Sequence, residues 1–200
     1  MASAEFVDPY IDPTTGILRN LAGVSTWAEL AQAEGDLVVP RLIRLERPEK
    51  FKADLSGLVS IHKFLFADLF DWAGQIRTVD IRKPEEGSVF FLPVSFIWRA
   101  AGYSADELAA DNWLKGLTRR EFIESLAHHY DQWNYIHPFR EGNGRAQRVF
   151  WSWIAEAAGW LIDWTQVLGA VNDEASRLAA DTRDLTALIE MFDQVVRPTA

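Results

Sequence analysis

His137-Pro-Phe-Arg-Glu-Gly-Asn-Gly-Arg-Ala-Gln-Arg148 gathers a base, an acid, two glycines, an amide and an arginine pair three residues apart. Core packing has no use for that mixture. On its N-terminal side Phe122, Leu126, Tyr130 and Trp133 recur at three- and four-residue steps, which predicts an amphipathic helix over 119–134. Pro138 disfavours the α region for the residue before it, so that helix stops and His137 falls in a turn. After Gly144 the helical period resumes, with Ala146, Phe150, Trp153, Ile154, Ala157 and Leu161 on one apolar face. The polar stretch is thus read as a loop feeding a helix N-terminus.

A helix start presents unpaired N–H groups and a partial positive charge, and Gly142 and Gly144 remove side chains that would keep a ligand off the backbone. Arg145 and Arg148 can share one helix face and fork onto phosphate oxygens. Glu141, a carboxylate in a basic loop, suits a Mg²⁺ shared with substrate phosphates. His137, of ordinary pKa near 6.5, suits a general base for a hydroxyl nucleophile. Asn143 can donate to a phosphate oxygen and support the helix cap. Taken singly, Gly-Asn-Gly is a common turn and an arginine pair a common solvated face; a turn needs neither the acid nor the arginines.

The stretch resembles, at every defined position, the Fic family signature His-Pro-Phe-x-x-Gly-Asn-Gly-Arg-x-x-Arg, with an acid before the first glycine. The resemblance implies an adenylyltransferase that moves AMP from ATP to a protein hydroxyl. Related Doc-type kinases carry Lys at the second glycine and lack the next arginine; Gly144 and Arg145 place this chain with the AMP-transferring branch. By that resemblance His137 deprotonates a Tyr, Thr or Ser hydroxyl. Glu141 holds Mg²⁺. Asn143 and the backbone from Gly142 to Arg145 hold the α-phosphate, and Arg145 and Arg148 take the β- and γ-phosphates. Rival readings are transfer of UMP, another nucleotide monophosphate or phosphocholine, removal of AMP, and a non-catalytic nucleotide-binding module.

Two hundred residues, almost half hydrophobic, suit a single domain over 1–200 with its core at about 8–190. Zero cysteines exclude disulfide and thiolate chemistry. A net charge of −9 argues against broad nucleic-acid binding, which rests on neutralising phosphates. The N-terminus shows no signal-peptide pattern and no run reaches the roughly twenty apolar residues of a membrane helix, so a cytoplasmic bacterial protein is expected, with non-classical secretion left open. Nine tryptophans fall largely at helical spacings, and most are read as core or core edge.

The fold class expected is all-α, a Fic-type helical bundle with one small β-hairpin. Ser25 or Thr26 caps a helix from Trp27 to about Leu45, with Glu29 at the capping-box position. A second helix runs from Phe51 to about Trp72; His62 on its apolar stripe is read as a satisfied core histidine. Ser104-Ala-Asp-Glu107 reads as a capping box opening a helix through Trp113, and Thr118 caps the helix that leads to the motif. Short helices follow near Asp163, over 172–180 and over 184–194. The β signal lies at Thr78-Val79-Asp80-Ile81 and Val89-Phe90-Phe91, two runs joined by a Pro/Gly turn within about 77–93. By the resemblance this hairpin is a flap that clamps the target segment by strand addition. His128 and His129, with His137, raise a zinc reading, set aside because helix neighbours point about 100° apart and no His-Glu-x-x-His spacing exists.

Many Fic enzymes are inhibited by a helix carrying Ser/Thr-x-x-x-Glu-Gly/Asn, whose glutamate pairs with the second motif arginine. Here Glu34-Gly35 follows Leu30 and Glu86-Gly87 follows Arg82, while Thr186 and Glu190 have the right separation but precede Met191. The expectation is a toxin whose small antitoxin supplies the glutamate to Arg148, with the Thr186/Glu190 helix as the internal alternative.

Overall fold

Residues 7–82, 91–167 and 169–199 are described by a computed structural model of the chain. Among them are seven α-helices: α1 (Trp27–Arg44), α2 (Leu55–Phe66), α3 (Ile97–Ala110), α4 (Arg119–Ile136), α5 (Asn143–Ala157), α6 (Gly169–Thr182) and α7 (Thr186–Val195). The strands β1 (Trp160–Ile162) and β2 (Val196–Pro198) pair antiparallel. The all-α expectation therefore holds.

Local chemistry sets the helix starts. Thr26 and Glu29 form a reciprocal capping box on α1, and Thr118 and Glu121 form another on α4. Asp54 caps α2 by accepting from Gly57 N–H at 3.0 Å. The bundle packs around α4, which buries Phe122, Leu126, Tyr130, Trp133 and Ile136 and touches α3, α5, α6 and α7. Full burial of one such apolar side chain contributes roughly 1.5–3 kcal/mol.

Several boundaries differ from the sequence reading. Ser104 is no cap: it is buried inside α3, which begins at Ile97 behind a 3₁₀ turn at Val94–Phe96. The capping-box pattern lost to a continuous apolar face through Ile97, Ala101 and Leu108. Helix α2 covers only Leu55–Phe66. Helix α5 ends at Ala157, because Gly159 turns the chain at φ +90°, and Leu161 goes to β1. Trp27 and Trp98 are exposed, not core.

Two buried polar side chains fasten the motif loop to the bundle. Arg77, 1% exposed, donates through Nε to His137 O at 2.8 Å, through Nη1 to Val79 O at 2.7 Å, and through Nη2 to Leu92 O. One guanidinium thus satisfies carbonyls from three chain segments. Burial lowers its pKa, with the Asp80 carboxylate at 3.8 Å opposing. His62 accepts from Gly74 N–H at Nδ1 (2.8 Å), so its proton sits on Nε2 and is donated to Glu141 O at 2.9 Å. Its ring stacks on Phe139 at 3.8 Å. The core reading of His62 is right, and the core it belongs to is the floor of the motif.

Replacing Arg77 by Met strands three carbonyls and is expected to cost about 3–5 kcal/mol in denaturant unfolding. Burial also lowers the His62 pKa from 6.5 to about 4. The native state therefore resists a proton that the unfolded chain accepts. Stability is full above pH 6.5 and falls as pH drops towards 4, by about 2 kcal/mol between pH 7.5 and pH 5. His62→Gln should lower stability at both pH values yet flatten that slope; an unchanged slope would refute the assignment.

Candidate active site

The loop 137–142 joins α4 to α5 and divides into an inward and an outward face. His137 is the C-cap of α4 in the left-handed conformation, φ +45° and ψ +63°, a region that is strained for a residue with a side chain. Arg77 grips its carbonyl, and Arg77 N–H bonds Pro138 O at 2.9 Å. Its imidazole has Nδ1 3.2 Å from Asn134 O, an acceptor only, so Nδ1 carries a proton and donates it there. The Phe91 ring stacks on the imidazole at 3.6 Å, 12° from parallel.

Asn143 and Gly142 look inward. Asn143 is buried; its Oδ1 accepts from Phe139 N–H at 2.9 Å and its Nδ2 donates to Phe139 O at 2.8 Å. That two-bond clasp closes the turn and uses one of the two Nδ2 hydrogens. Gly142 stands at φ +80°, where a Cβ would sit 2.5 Å from Phe66 and 3.2 Å from His62 Nε2. Its lack of a side chain serves packing against α2.

Glu141, Gly144, Arg145 and Arg148 look outward. Glu141 Oε1 accepts from Gly142 N–H at 2.8 Å and lies 3.4 Å from Arg145 Nη2. Gly144 is exposed, and a Cβ there would meet nothing within 4 Å. No side chain caps α5. Arg145 also pairs with Glu34 of α1 and lies over the Phe66 ring at 4.9 Å. Burial raises the Glu34 pKa, with Arg145 opposing. Arg148 lies over Trp164 at 5.4 Å, and among the described residues it enters no ion pair. Glu190 sits instead in a groove between α6 and α7, beside Val171, Glu174 and Gln194.

The proposed flap is described at its base. Thr78 N–H bonds Tyr10 Oη at 3.1 Å, and Val79 O is held by Arg77. Asp80 Oδ1 accepts from Val94 N–H at 2.8 Å, and Ile81 O accepts from Phe91 N–H at 3.1 Å. Residues 83–90, with the turn, Val89 and Phe90, lie outside the described residues. Sequence reasoning missed Arg77 as organiser, Glu34 as the partner of Arg145, and Trp164 under Arg148. A buried arginine next to a strand pattern was the one signal available; the other two partners are distant in sequence.

The Fic/DOC family profile matches residues 52–155. A probable protein adenylyltransferase Fic of Salmonella typhimurium is 34% identical over 189 residues, 94% of this chain and 92% of that protein. The protein adenylyltransferase VbhT of Bartonella schoenbuchensis is 37% identical over 161 residues, 80% of this chain and 33% of that protein. Among solved structures, the BepC protein of Bartonella tribocorum with bound AMPPNP superposes with a TM-score of 0.89 at 25% identity, covering 96% of this chain and 97% of that one. By its motif, its fold and these relatives, the chain belongs to the Fic/DOC family.

Proposed function

We propose that this protein is a protein adenylyltransferase that transfers AMP from ATP to a Tyr, Thr or Ser hydroxyl of a target protein. The observation that carries the reading is His137, its Nδ1 turned to Asn134 O, beside an uncapped helix N-terminus with an open Gly144. The N–H groups of Asn143, Gly144 and Arg145 have no intrahelical acceptor and offer an anion seat. Arg145 and Arg148 add charge-assisted donors for the β- and γ-phosphates. The AMPPNP bound to BepC supports an ATP-shaped ligand here.

His137 Nε2 takes the hydroxyl proton as the oxygen bonds to the α-phosphorus; the bond from that phosphorus to the bridging oxygen breaks, and pyrophosphate leaves. Positioning and charge neutralisation carry the rate enhancement. Glu141 fits a Mg²⁺: its carboxylate is half exposed and supplies hard oxygen beside the phosphate seat, and the ion would neutralise charge between α- and β-phosphates. Phe91 and the segment at 79–81 would register the target segment over His137 by backbone pairing.

Inhibition in trans by a small antitoxin fits Arg148, whose guanidinium enters no ion pair among the described residues. The placement of Glu190 in the α6–α7 groove gives no support to internal inhibition from that helix. No helix among the described residues is long and apolar enough to cross a membrane, in keeping with a proposed cytoplasmic site of action.

Incubated with a bacterial lysate, the chain should transfer label from ATP labelled on the α-phosphate and none from the γ-position. His137→Ala should reduce transfer by about 10²- to 10⁴-fold or more, and Glu190→Gly should leave it unchanged. Label from γ would make it a kinase and overturn the reading.

The two motif glycines should separate. Gly142→Ala must lose several kcal/mol of stability, roughly 2–4, from strain and overlap with Phe66. Gly144→Ala should keep or raise the unfolding midpoint, since the site is helical and open, yet weaken nucleotide binding about tenfold. Equal effects on stability would contradict the two-faced loop.

A further inference from the structure

Glu107 of α3 and the adjacent His128 and His129 of α4 bring three ligand atoms, one from each, within 4.8 Å of one another. Neighbours on one helix point apart, but a second helix can place carboxylates opposite both. It does so here: His128 Nε2 lies 3.2 Å from Glu107 Oε1, and His129 Nε2 lies 2.9 Å from Asp111 Oδ2. Gln132, one turn beyond His128, has its Nε2 2.6 Å from Glu107 Oε2 and 2.9 Å from His128 Nε2. His137 takes no part.

The Gln132 nitrogen must face Glu107, because the reversed amide would set its carbonyl oxygen against a carboxylate. Its two N–H groups then serve Glu107 and His128, which makes His128 Nε2 a lone-pair nitrogen. The same His128 Nε2 lies 3.2 Å from Glu107 Oε1, so the imidazole, the amide and the carboxylate crowd one point. His129 is fully buried and its Nδ1 has no hydrogen-bond partner. Two imidazoles and the Glu107 carboxylate, with Asp111 beside them, therefore converge on one small volume.

The geometry points to a binding site for a divalent late transition-metal ion of the zinc class, held by Glu107, His128 and His129 with Asp111 at its edge. Imidazole with carboxylate is a donor set for such an ion rather than for magnesium, which takes oxygen. Ligand atoms about a tetrahedral zinc lie roughly 3.4 Å apart, given bonds of about 2.1 Å. The His128 and Glu107 side chains, 47% and 30% exposed, have room to rotate into that spacing. The ion would tie the C-terminal part of α3 to α4, whose end carries His137. The inference stands apart from the nucleotide reading.

The test uses the full chain, stripped with chelator and titrated with zinc chloride at about pH 7.5, above the ordinary histidine pKa. Calorimetry should show one saturable zinc per chain, and the thermal midpoint should rise by roughly 5 °C at about a hundredfold excess over Kd. Magnesium should give no such rise. Glu107→Gln and His128→Ala, both near the surface, should each weaken zinc binding by about tenfold or more, while Glu141→Gln keeps it. Absence of saturable binding, or binding that survives Glu107→Gln and His128→Ala, would overturn the site and leave a hydrogen-bonded cluster only.

Discussion

The guanidinium of Arg77 is the constraint on which the site depends. A buried cation is costly unless its donors are matched, and here the matches are backbone carbonyls of Val79, Leu92 and His137. Those carbonyls belong to both sides of the proposed flap's base and to the turn that carries the base. A single planar group therefore fixes the height of the two flanking segments relative to His137. It also offsets the strain of the left-handed backbone at His137, which the following proline narrows further. Lysine would not serve, because one point charge cannot reach three carbonyls in a plane.

Below that clamp the motif loop has two jobs, divided by side. Phe139, Gly142 and Asn143 belong to the floor: Asn143 ties the turn to itself, and His62 reaches up from α2 to hold the carbonyl of Glu141. Glu141, Gly144, Arg145 and Arg148 belong to the mouth and carry charge or open space. Helix α5 makes this division possible, since one face packs Ala146, Phe150 and Ile154 into the core while its uncapped start faces out. The helix end is thus both anchored and available.

The mouth is held in balance by ordinary electrostatics. Arg145 bridges Glu34 and Glu141, so one of the arginines that would meet phosphate already has carboxylate company. Half-buried Glu34 resists ionisation and Arg145 restores it, which makes the pair a local, replaceable contact rather than a fixed strut. Arg148, over the Trp164 face, is oriented by stacking.

The chain order alone determined the helices with clear signals: Thr26 and Thr118 as caps, Pro138 as a stop, the apolar steps of α4, and the polar loop before α5. These are local effects, settled by hydrogen bonds and steric limits within a few residues. It also determined the Fic/DOC family, because the motif's residue types and spacing are dictated by the chemistry. Tertiary structure alone decided what local signals cannot carry. Ser104 was drawn into α3 because burying an apolar face outweighs one cap, and Trp160–Ile162 became a strand only by meeting Val196–Pro198 from the far end of the chain. Asn143 was given a clasp within the turn, Arg77 was buried as the organiser, and Glu107 was set against His128. Each outcome depends on partners distant in sequence, brought together by a core whose packing no single segment specifies.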